Sequence, residues 1–138
     1  MTRCGSALAT LSVLLAVILN PGCGSSRQLQ SVSLSPATAD AQNYSNGQVR
    51  FTATGTFSKP PSPSPLTSKD VLWCVGLGAG QCAGNINPGA TVDQDGVAQC
   101  GPAFVGTTHI MAGSAGTPMN PDGGQPLKIF GTAQLTCP

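Results

Sequence analysis

Val71-Leu72-Trp73-Cys74-Val75 carries the only tryptophan of the chain. Successive side chains of a β-strand point to opposite faces, so Val71, Trp73 and Val75 would share one face of an extended segment. Burying an indole removes roughly 150–250 Å² from water, the largest single contribution to a core that this sequence offers. We therefore interpret Trp73 as the central core residue of a β-domain.

The clearest strand pattern lies on the N-terminal side of that stretch, over Val49–Phe57. Its apolar or small positions are Val49, Phe51, Ala53, Gly55 and Phe57, and they alternate with Arg50, Thr52, Thr54 and Thr56. This period of two is hard to reconcile with a helix, in which the apolar positions would spread around the axis. The pattern predicts one strand with a packed face and a solvated face.

Shorter strand-like runs with turn sequences between them complete the pattern. They are Ser31–Ser35, Ala90–Val92, Val97–Cys100, Thr107–Ala112 and Leu127–Cys137. Ala37–Tyr44, Gly76–Gly89 and Gly113–Pro126 are interpreted as links or loops, and Lys59–Pro65 as an extended, exposed connection, because proline donates no backbone hydrogen bond. Asn46-Gly47 and Asp93-Gln94-Asp95-Gly96 are turn sequences. About seven strands are expected, which favours an all-β sandwich.

The composition agrees with a β-domain and excludes one class of partner. The 138 residues include 18 glycines and 12 prolines, and charged residues make up only 8% of the chain. The acidic residues are all aspartate and lysines are few, so two of the strong helix formers, glutamate and lysine, are missing or scarce. The net charge of +1 gives no electrostatic footprint for nucleic acid or for an anionic surface. No nucleic-acid partner is expected.

The first residues combine a positive start with a short apolar run. Met1-Thr2-Arg3 precedes the run Ala7–Leu19, which is too short to span a bilayer as a mature helix. The run ends at Asn20-Pro21-Gly22-Cys23, followed by small polar residues. This arrangement resembles the lipobox of bacterial lipoproteins, although that family prefers leucine where Asn20 stands.

The lipobox resemblance implies that Cys23 becomes the acylated first residue of the mature chain. Residues 1–22 would then be a signal peptide, 23–30 a lipidated tether and 31–138 the folded domain. The alternative is an ordinary secretory signal that leaves Cys23 as a thiol. The number of cysteines favours acylation, because Cys4 leaves with the signal and four cysteines remain for two bridges. The expected location is the cell envelope, anchored to a membrane and facing the periplasm or the outside.

Several segments of the body together resemble a bacterial immunoglobulin-like domain of the second group. The segments are Ser31–Pro36, Gly47–Phe57, the run Ala90–Ala98 with its Ala-Thr-Val-Asp start and its glycine, and Gly106–Ala112. Trp73 stands where that family has its strand tryptophan. The resemblance covers nearly the whole mature chain and implies an immunoglobulin-like β-sandwich, with no particular chemistry.

Four cysteines remain in the expected mature domain: Cys74, Cys82, Cys100 and Cys137. They allow three pairings. In a sandwich of the family just named, the strand directions would bring Cys74 close to Cys82 and Cys100 close to Cys137 at one pole, so the resemblance favours that pairing. The alternative is a four-cysteine zinc site, against which the absence of a Cys-x-x-Cys pair and the expected export both count. Neither a metal nor a cofactor is expected.

Candidate catalytic groups are few. His109 is the only histidine and falls on the outward face of its predicted strand. Asp93 and Asp95 are explained by a hairpin turn better than by a calcium loop, whose further ligands are missing. No nucleophile elbow or phosphate-binding glycine loop occurs. The chain is therefore predicted not to be an enzyme, and the alternative of a small secreted hydrolase would need His109 or an aspartate.

The leading hypothesis is a lipid-anchored envelope module with a binding, adhesion or structural role and an unidentified protein or polysaccharide partner. Binding would use loops at one pole, such as Gly113–Pro126, or an exposed strand edge. The alternative is a carbohydrate-binding module. Tyr44, Phe104 and Phe130 are the candidate aromatic platforms for it.

Overall fold

The described part of the chain contains ten β-strands and two 3-10 turns. The computed structural model describes residues 26–76, 78–83, 89–116 and 124–138. The strands are β1 (Leu29–Ser35), β2 (Thr38–Asp40), β3 (Gln48–Arg50), β4 (Thr52–Phe57), β5 (Ser64–Leu66), β6 (Leu72–Gly76), β7 (Ala90–Val92), β8 (Val97–Cys100), β9 (Gly106–Ala115) and β10 (Leu127–Cys137). The turns are Ala41–Asn43 and Ser45–Gly47. The predicted all-β class is confirmed.

The strands form three sheets. Their orders are β1-β4-β5, β2-β10-β9-β6 and β3-β8-β7. All neighbouring pairs are antiparallel except β2 with β10, which is parallel. The expected count of about seven strands is therefore not confirmed for the described residues, because one predicted strand is divided between two sheets and two predicted connections contain strands of their own.

The predicted strand Val49–Phe57 is divided at Phe51. β3 pairs with β8, whereas β4 pairs with β1. Between them the backbone N–H of Phe51 donates to the carbonyl oxygen of Gly96 at 2.8 Å. Val49, Phe51, Ala53 and Gly55 nevertheless stay buried on one side. The alternation was predicted correctly, and the break was missed because a pattern of faces carries no information about pairing partners.

Two further strands lie in segments predicted as connections. After Pro36 the chain leaves the sheet of β1, and β2 pairs with β10 through Gln134↔Thr38 and the two following pairs. β5 takes up the end of the proline-rich stretch, where Pro65 lies opposite Thr54. Proline is tolerated there because β5 is an edge strand. Both strands have three residues, too few for a periodic signal.

The main core draws on all three sheets. Its fully buried large side chains are those of Phe51, Ile110, Leu135 and Val49, each at most 1% exposed. Trp73 is only half-buried and packs against the edge of this cluster, so it is not the central residue that the sequence predicted. Its ring reaches the β7–β8 turn, where a Cβ on Gly96 would lie 2.9 Å from Trp73 Cζ2. With φ at +76°, Gly96 is therefore required at that turn.

A second, smaller core covers the outer face of β9. Met111, which is fully buried, packs there with Cys82 and Leu127. Cys82 reaches this face because residues 78–83 fold back along β6, where the N–H of Ala83 donates to Val75 O at 2.8 Å. Ile110 and Ala112, both predicted inward, are fully buried in the main core. β9 is therefore buried on both faces.

The direction of β10 relative to β1 and β2 defines two ends of the molecule. A Cβ on Gly131 would lie 2.6 Å from Val32 O, and the N–H of Gln134 donates to Ala37 O at 2.9 Å. β10 thus runs beside β1 and β2 in the same direction, so that Leu127 lies at the end where β1 begins. We call this the N-terminal end and the opposite end, which contains Cys137, the distal end.

Candidate functional site

The distal end is held together by a disulfide. Cys100 at the end of β8 is bonded to Cys137 at the end of β10, with 5.7 Å between their Cα atoms. The bond joins two different sheets. Cys74 and Cys82 form the second disulfide, with Cα atoms 5.5 Å apart. The pairing is the one that the immunoglobulin-like resemblance implied, but the two bridges do not share one pole, because Cys74 lies opposite Met111 in the middle of β9. None of the four sulfurs is available as a zinc-binding thiolate.

A polar turn segment, Ala41–Gly47, lies at the distal end beside this disulfide. The Asp40 carboxylate accepts a hydrogen bond from the N–H of Gln42 at 3.0 Å. The N–H of Tyr44 donates to Ala41 O at 3.2 Å, and the N–H of Gly47 donates to Tyr44 O at 3.0 Å. Ala41 is 2% exposed and anchors the segment in the main core. The turn at Asn46-Gly47, predicted from the sequence, is present.

Positive backbone angles let this segment reverse direction tightly. Asn46 has φ 58° and Gly47 has φ 65°. Both lie in the left-handed region, which asparagine and glycine tolerate better than other residues. The hydrogen-bonded turns and the buried Ala41 therefore hold Tyr44 in a defined position.

A cleft of about 190 Å³ opens between this turn segment and the end of β8. Tyr44, Gln42 and Asn46 line it from one side and Gln99 from the other. Among the described residues, Tyr44 (40% exposed) and Val105 (77% exposed) are the exposed large hydrophobic side chains. Val105 belongs to the same end, since it directly precedes Gly106, which pairs with Cys137. We call Gln42, Tyr44, Asn46, Gln99 and Val105 the distal surface.

The side chains of the distal surface are of the kinds that bind other molecules. A tyrosine offers a rigid apolar ring with a polar tip, and amide side chains both donate and accept hydrogen bonds. Tyrosine, serine, asparagine and glycine also dominate binding loops that adapt to varied partners. The segment Asn43-Tyr44-Ser45-Asn46-Gly47 has this composition.

Of the three predicted aromatic platforms, only Tyr44 is exposed. Phe104 is half-buried, and its ring covers Gly89 so closely that a Cβ there would collide with it. Phe130 is half-buried and covers Gly80 in the same way. Both rings are therefore packed against the backbone of a glycine.

A second cleft, of about 280 Å³, lies on the side of the domain at the division between β3 and β4. The partly exposed Trp73 lines it together with Arg50, Thr67 and Asp95. The sequence analysis assigned Trp73 to the core alone, since the break that opens this cleft has no local signal. The arrangement combines an aromatic ring with a cation, a carboxylate and a hydroxyl group.

The carboxylates of Asp93 and Asp70 accept hydrogen bonds that serve the fold. Asp93 Oδ1 accepts hydrogen bonds from the N–H of Asp95 at 2.9 Å and of Val97 at 2.8 Å. These bonds close the β7–β8 turn predicted from the sequence. Thr67 donates to Asp70 from its backbone N–H at 2.8 Å and from its hydroxyl at 2.7 Å, which lowers the pKa of Asp70 below its usual value.

His109 lies on the outer side of β9, as predicted. It pairs with Gln134 on one neighbour and Gly76 on the other, and its side chain is half-buried. In the described ranges, no three His, Cys, Asp or Glu side chains group as metal ligands would.

The predicted signal peptide, Cys23 and residues 117–123, half of the predicted loop Gly113–Pro126, lie outside the described residues. The first three residues of that predicted loop belong to β9 instead. The described flanks of that loop, Ala115 and Leu127, pair with each other at the N-terminal end. Over the residues that the structure describes, no helix has the length and apolarity needed to cross a membrane. No protein-family model matches the chain, and no curated protein is significantly similar to it.

Proposed function

We propose that this chain is an exported, lipid-anchored binding module of the cell envelope, with an immunoglobulin-like sandwich fold and no catalytic role. The observation that carries the proposal is the placement of the distal surface at the opposite end of the domain from its N-terminus. A domain tethered through its N-terminus presents its far end to partners. The exposed Tyr44 and Val105 lie at that end.

The strand order supports the immunoglobulin-like part of the proposal. If β1 and β2 count as one strand that changes sheets, β3 and β4 as another, and β5 as an insertion, about seven strands remain. The first and last strands then pair in parallel at β2 and β10, and the two middle hairpin strands are β7 and β8. Strands that switch sheets at bends are common where two sheets pack face to face.

The anchor rests on the cysteine that follows the apolar run. Cys23 is followed by Gly24, Ser25 and Ser26, and the first strand begins at Leu29. Two disulfides in so small a domain are typical of proteins that fold in an oxidising compartment. Several acyl chains hold a protein stably where one does not, so an acylated Cys23 would retain the domain at a membrane without a spanning segment.

Replacing Cys23 by serine is expected to abolish incorporation of a labelled fatty acid and to release the protein from the membrane fraction. The matched control is Cys4→Ser, which changes a cysteine of the predicted signal peptide and should leave both readouts unchanged. The measurement is labelling and membrane fractionation of cells that produce the full chain. Equal labelling of the Cys23→Ser protein would contradict the anchor.

A photoreactive amino acid at position 44 is expected to form covalent adducts with an envelope component in living cells. The same group at position 132 serves as the control, because Thr132 is an exposed residue in the middle of β10, away from the distal end. Adducts at 44 and none at 132, detected by gel electrophoresis and mass spectrometry, are the expected result. Equal adducts at both positions, or none at either, would contradict a binding role for the distal surface.

Carbohydrate binding is the second candidate function, and the position of Trp73 favours it. Its indole borders a cleft with hydrogen-bonding side chains from Arg50, Thr67 and Asp95. Sugars combine apolar ring faces with many hydroxyl groups, which such a mixture could bind. Loss of retention on immobilised envelope polysaccharide in Arg50→Gln, with retention unchanged in Tyr44→Ala, would favour this cleft over the distal surface.

A further inference from the structure

The N-terminal end of the domain carries positive side chains. Arg27 lies directly before β1, Lys59 lies in the loop after β4, and Lys128 is the second residue of β10. All three side chains are exposed. The loop of Lys59 is at this end because the N–H of Ser58 donates to Gln28 O at 2.9 Å. We call Arg27, Lys59 and Lys128 the basic end.

Most of the described carboxylates lie elsewhere. Asp40 adjoins the turn segment of the distal end, and Asp93 and Asp95 lie in the β7–β8 turn. Asp70 is the described carboxylate close to the basic end. Hydrogen bonds from Thr67 lower its pKa most, and the nearby charges of Arg27 and Lys69 lower it further. The net charge of +1 conceals this clustering of positive side chains. Among the described residues, the basic end therefore carries more positive than negative charge.

The contacts of the folded domain with its N-terminal segment begin at Arg27. The Arg27 guanidinium stacks 3.3 Å from the centre of the Phe57 ring. Its Nε donates to Lys59 O at 3.3 Å, and its Nη2 donates to Pro61 O. The N–H of Gln28 donates to Ser58 Oγ at 3.0 Å. Arg27 is thus fixed to the loop that carries Lys59.

The distance from Cys23 to Arg27 limits how far the domain can stand from a membrane. Three residues separate the two positions. Four steps along a fully extended chain reach at most about 14 Å. The Debye length at physiological ionic strength is about 8 Å, so a domain held this closely lies within the field of charged head groups for much of the time. A long tether would not impose this proximity.

We propose that the basic end docks on anionic phospholipid head groups and so orients the distal surface away from the membrane. The proposal rests on the acylation of Cys23 put forward above. A cation near an anionic membrane surface shifts the docking equilibrium about five-fold. Three such groups, partly offset by Asp70, would favour the docked orientation over free rotation about the tether.

Amine footprinting of the acylated, full mature protein in vesicles tests this directly. Vesicles of neutral phosphatidylcholine are compared with vesicles that contain about one-third phosphatidylglycerol, and an uncharged acylating reagent is read out at each lysine by mass spectrometry. Lys59 and Lys128 are expected to react several-fold more slowly on the anionic vesicles. The difference should vanish in 1 M salt, where the Debye length is about 3 Å.

Two charge-neutralising variants separate docking from general electrostatics. In Lys128→Gln, the protection of Lys59 on anionic vesicles should fall about five-fold. Arg50→Gln removes an exposed cation outside the basic end, and in this variant the protection of Lys59 should not change. Equal Lys59 reactivity on both kinds of vesicle, or equal effects of the two variants, would overturn the docking proposal. If the mass of the protein used shows that Cys23 is acylated, such a result contradicts the docking proposal alone. If the mass shows no acyl group on the mature protein, the proposed lipid anchor is contradicted as well.

Discussion

Replacing Cys100 and Cys137 together by alanine is expected to lower the free energy of unfolding by about 4 kcal/mol. The disulfide closes a loop with a sequence separation of 37, and opening it restores conformational freedom to the unfolded chain. Cys137 is also 3% exposed within the main core, so its loss removes packing as well. A change of this size is a large fraction of the roughly 5–15 kcal/mol that stabilises an ordinary domain.

The matched control is the other disulfide. Cys74–Cys82 has a sequence separation of 8, for which the same reasoning gives about 2.5 kcal/mol. Urea unfolding of both double variants, followed by the fluorescence of Trp73, provides the comparison. A Cys74/Cys82 variant that is less stable than the Cys100/Cys137 variant would contradict the loop-closure explanation.

The Cys100–Cys137 bond also matters for the proposed binding surface. Cys100 lines the cleft of Tyr44. Its disulfide fixes the end of β8 against the end of β10, so the cleft depends on both sheets keeping their relative positions. The double alanine variant should therefore weaken any binding at the distal surface even where the domain stays folded.

Phe51→Ala is expected to cost about 3–5 kcal/mol of unfolding free energy. Phe51 is 1% exposed, and it stands where the chain passes from the sheet of β3 to that of β4. A smaller side chain there leaves a cavity among residues from several strands, which the surroundings fill only in part. Urea unfolding measured by circular dichroism gives the value.

Trp73→Ala and Tyr44→Ala are the controls for Phe51. Because Trp73 is only half-buried at the edge of the main core, its replacement should cost less than that of Phe51. Tyr44 is exposed, and removal of its side chain should change stability by about 0.5 kcal/mol or less. A larger loss in Trp73→Ala than in Phe51→Ala would restore Trp73 as the central core residue.

The sequence predicted the faces of the strands better than their partners. The alternation in β10 is the clearest case, since Ala133 and Leu135 are buried while Thr132 and Gln134 are exposed. The β7–β8 hairpin was also predicted, because turn chemistry is local. The division at Phe51 and the parallel pairing of β2 with β10 depend on contacts between distant segments, for which a single sequence carries no local signal.

The candidate site was predicted in part. Tyr44 was named as a platform from its residue type, and the Asn46-Gly47 turn beside it was predicted from its dipeptide. The cleft itself was not foreseen, because it requires the end of β8 to lie against the turn segment. The clustering of positive charge at one end was hidden for the same reason, since Arg27, Lys59 and Lys128 are far apart in the chain and meet at one end only through the fold.

The intact mass of the mature protein from its native membrane tests the account most directly. The account predicts a chain that begins at Cys23, carries the mass of its acyl groups, and is lighter by four hydrogens for the two disulfides. Peptide mapping without reduction should join Cys74 to Cys82 and Cys100 to Cys137. A mature chain that begins elsewhere, with Cys23 unmodified, would contradict the lipid-anchored module.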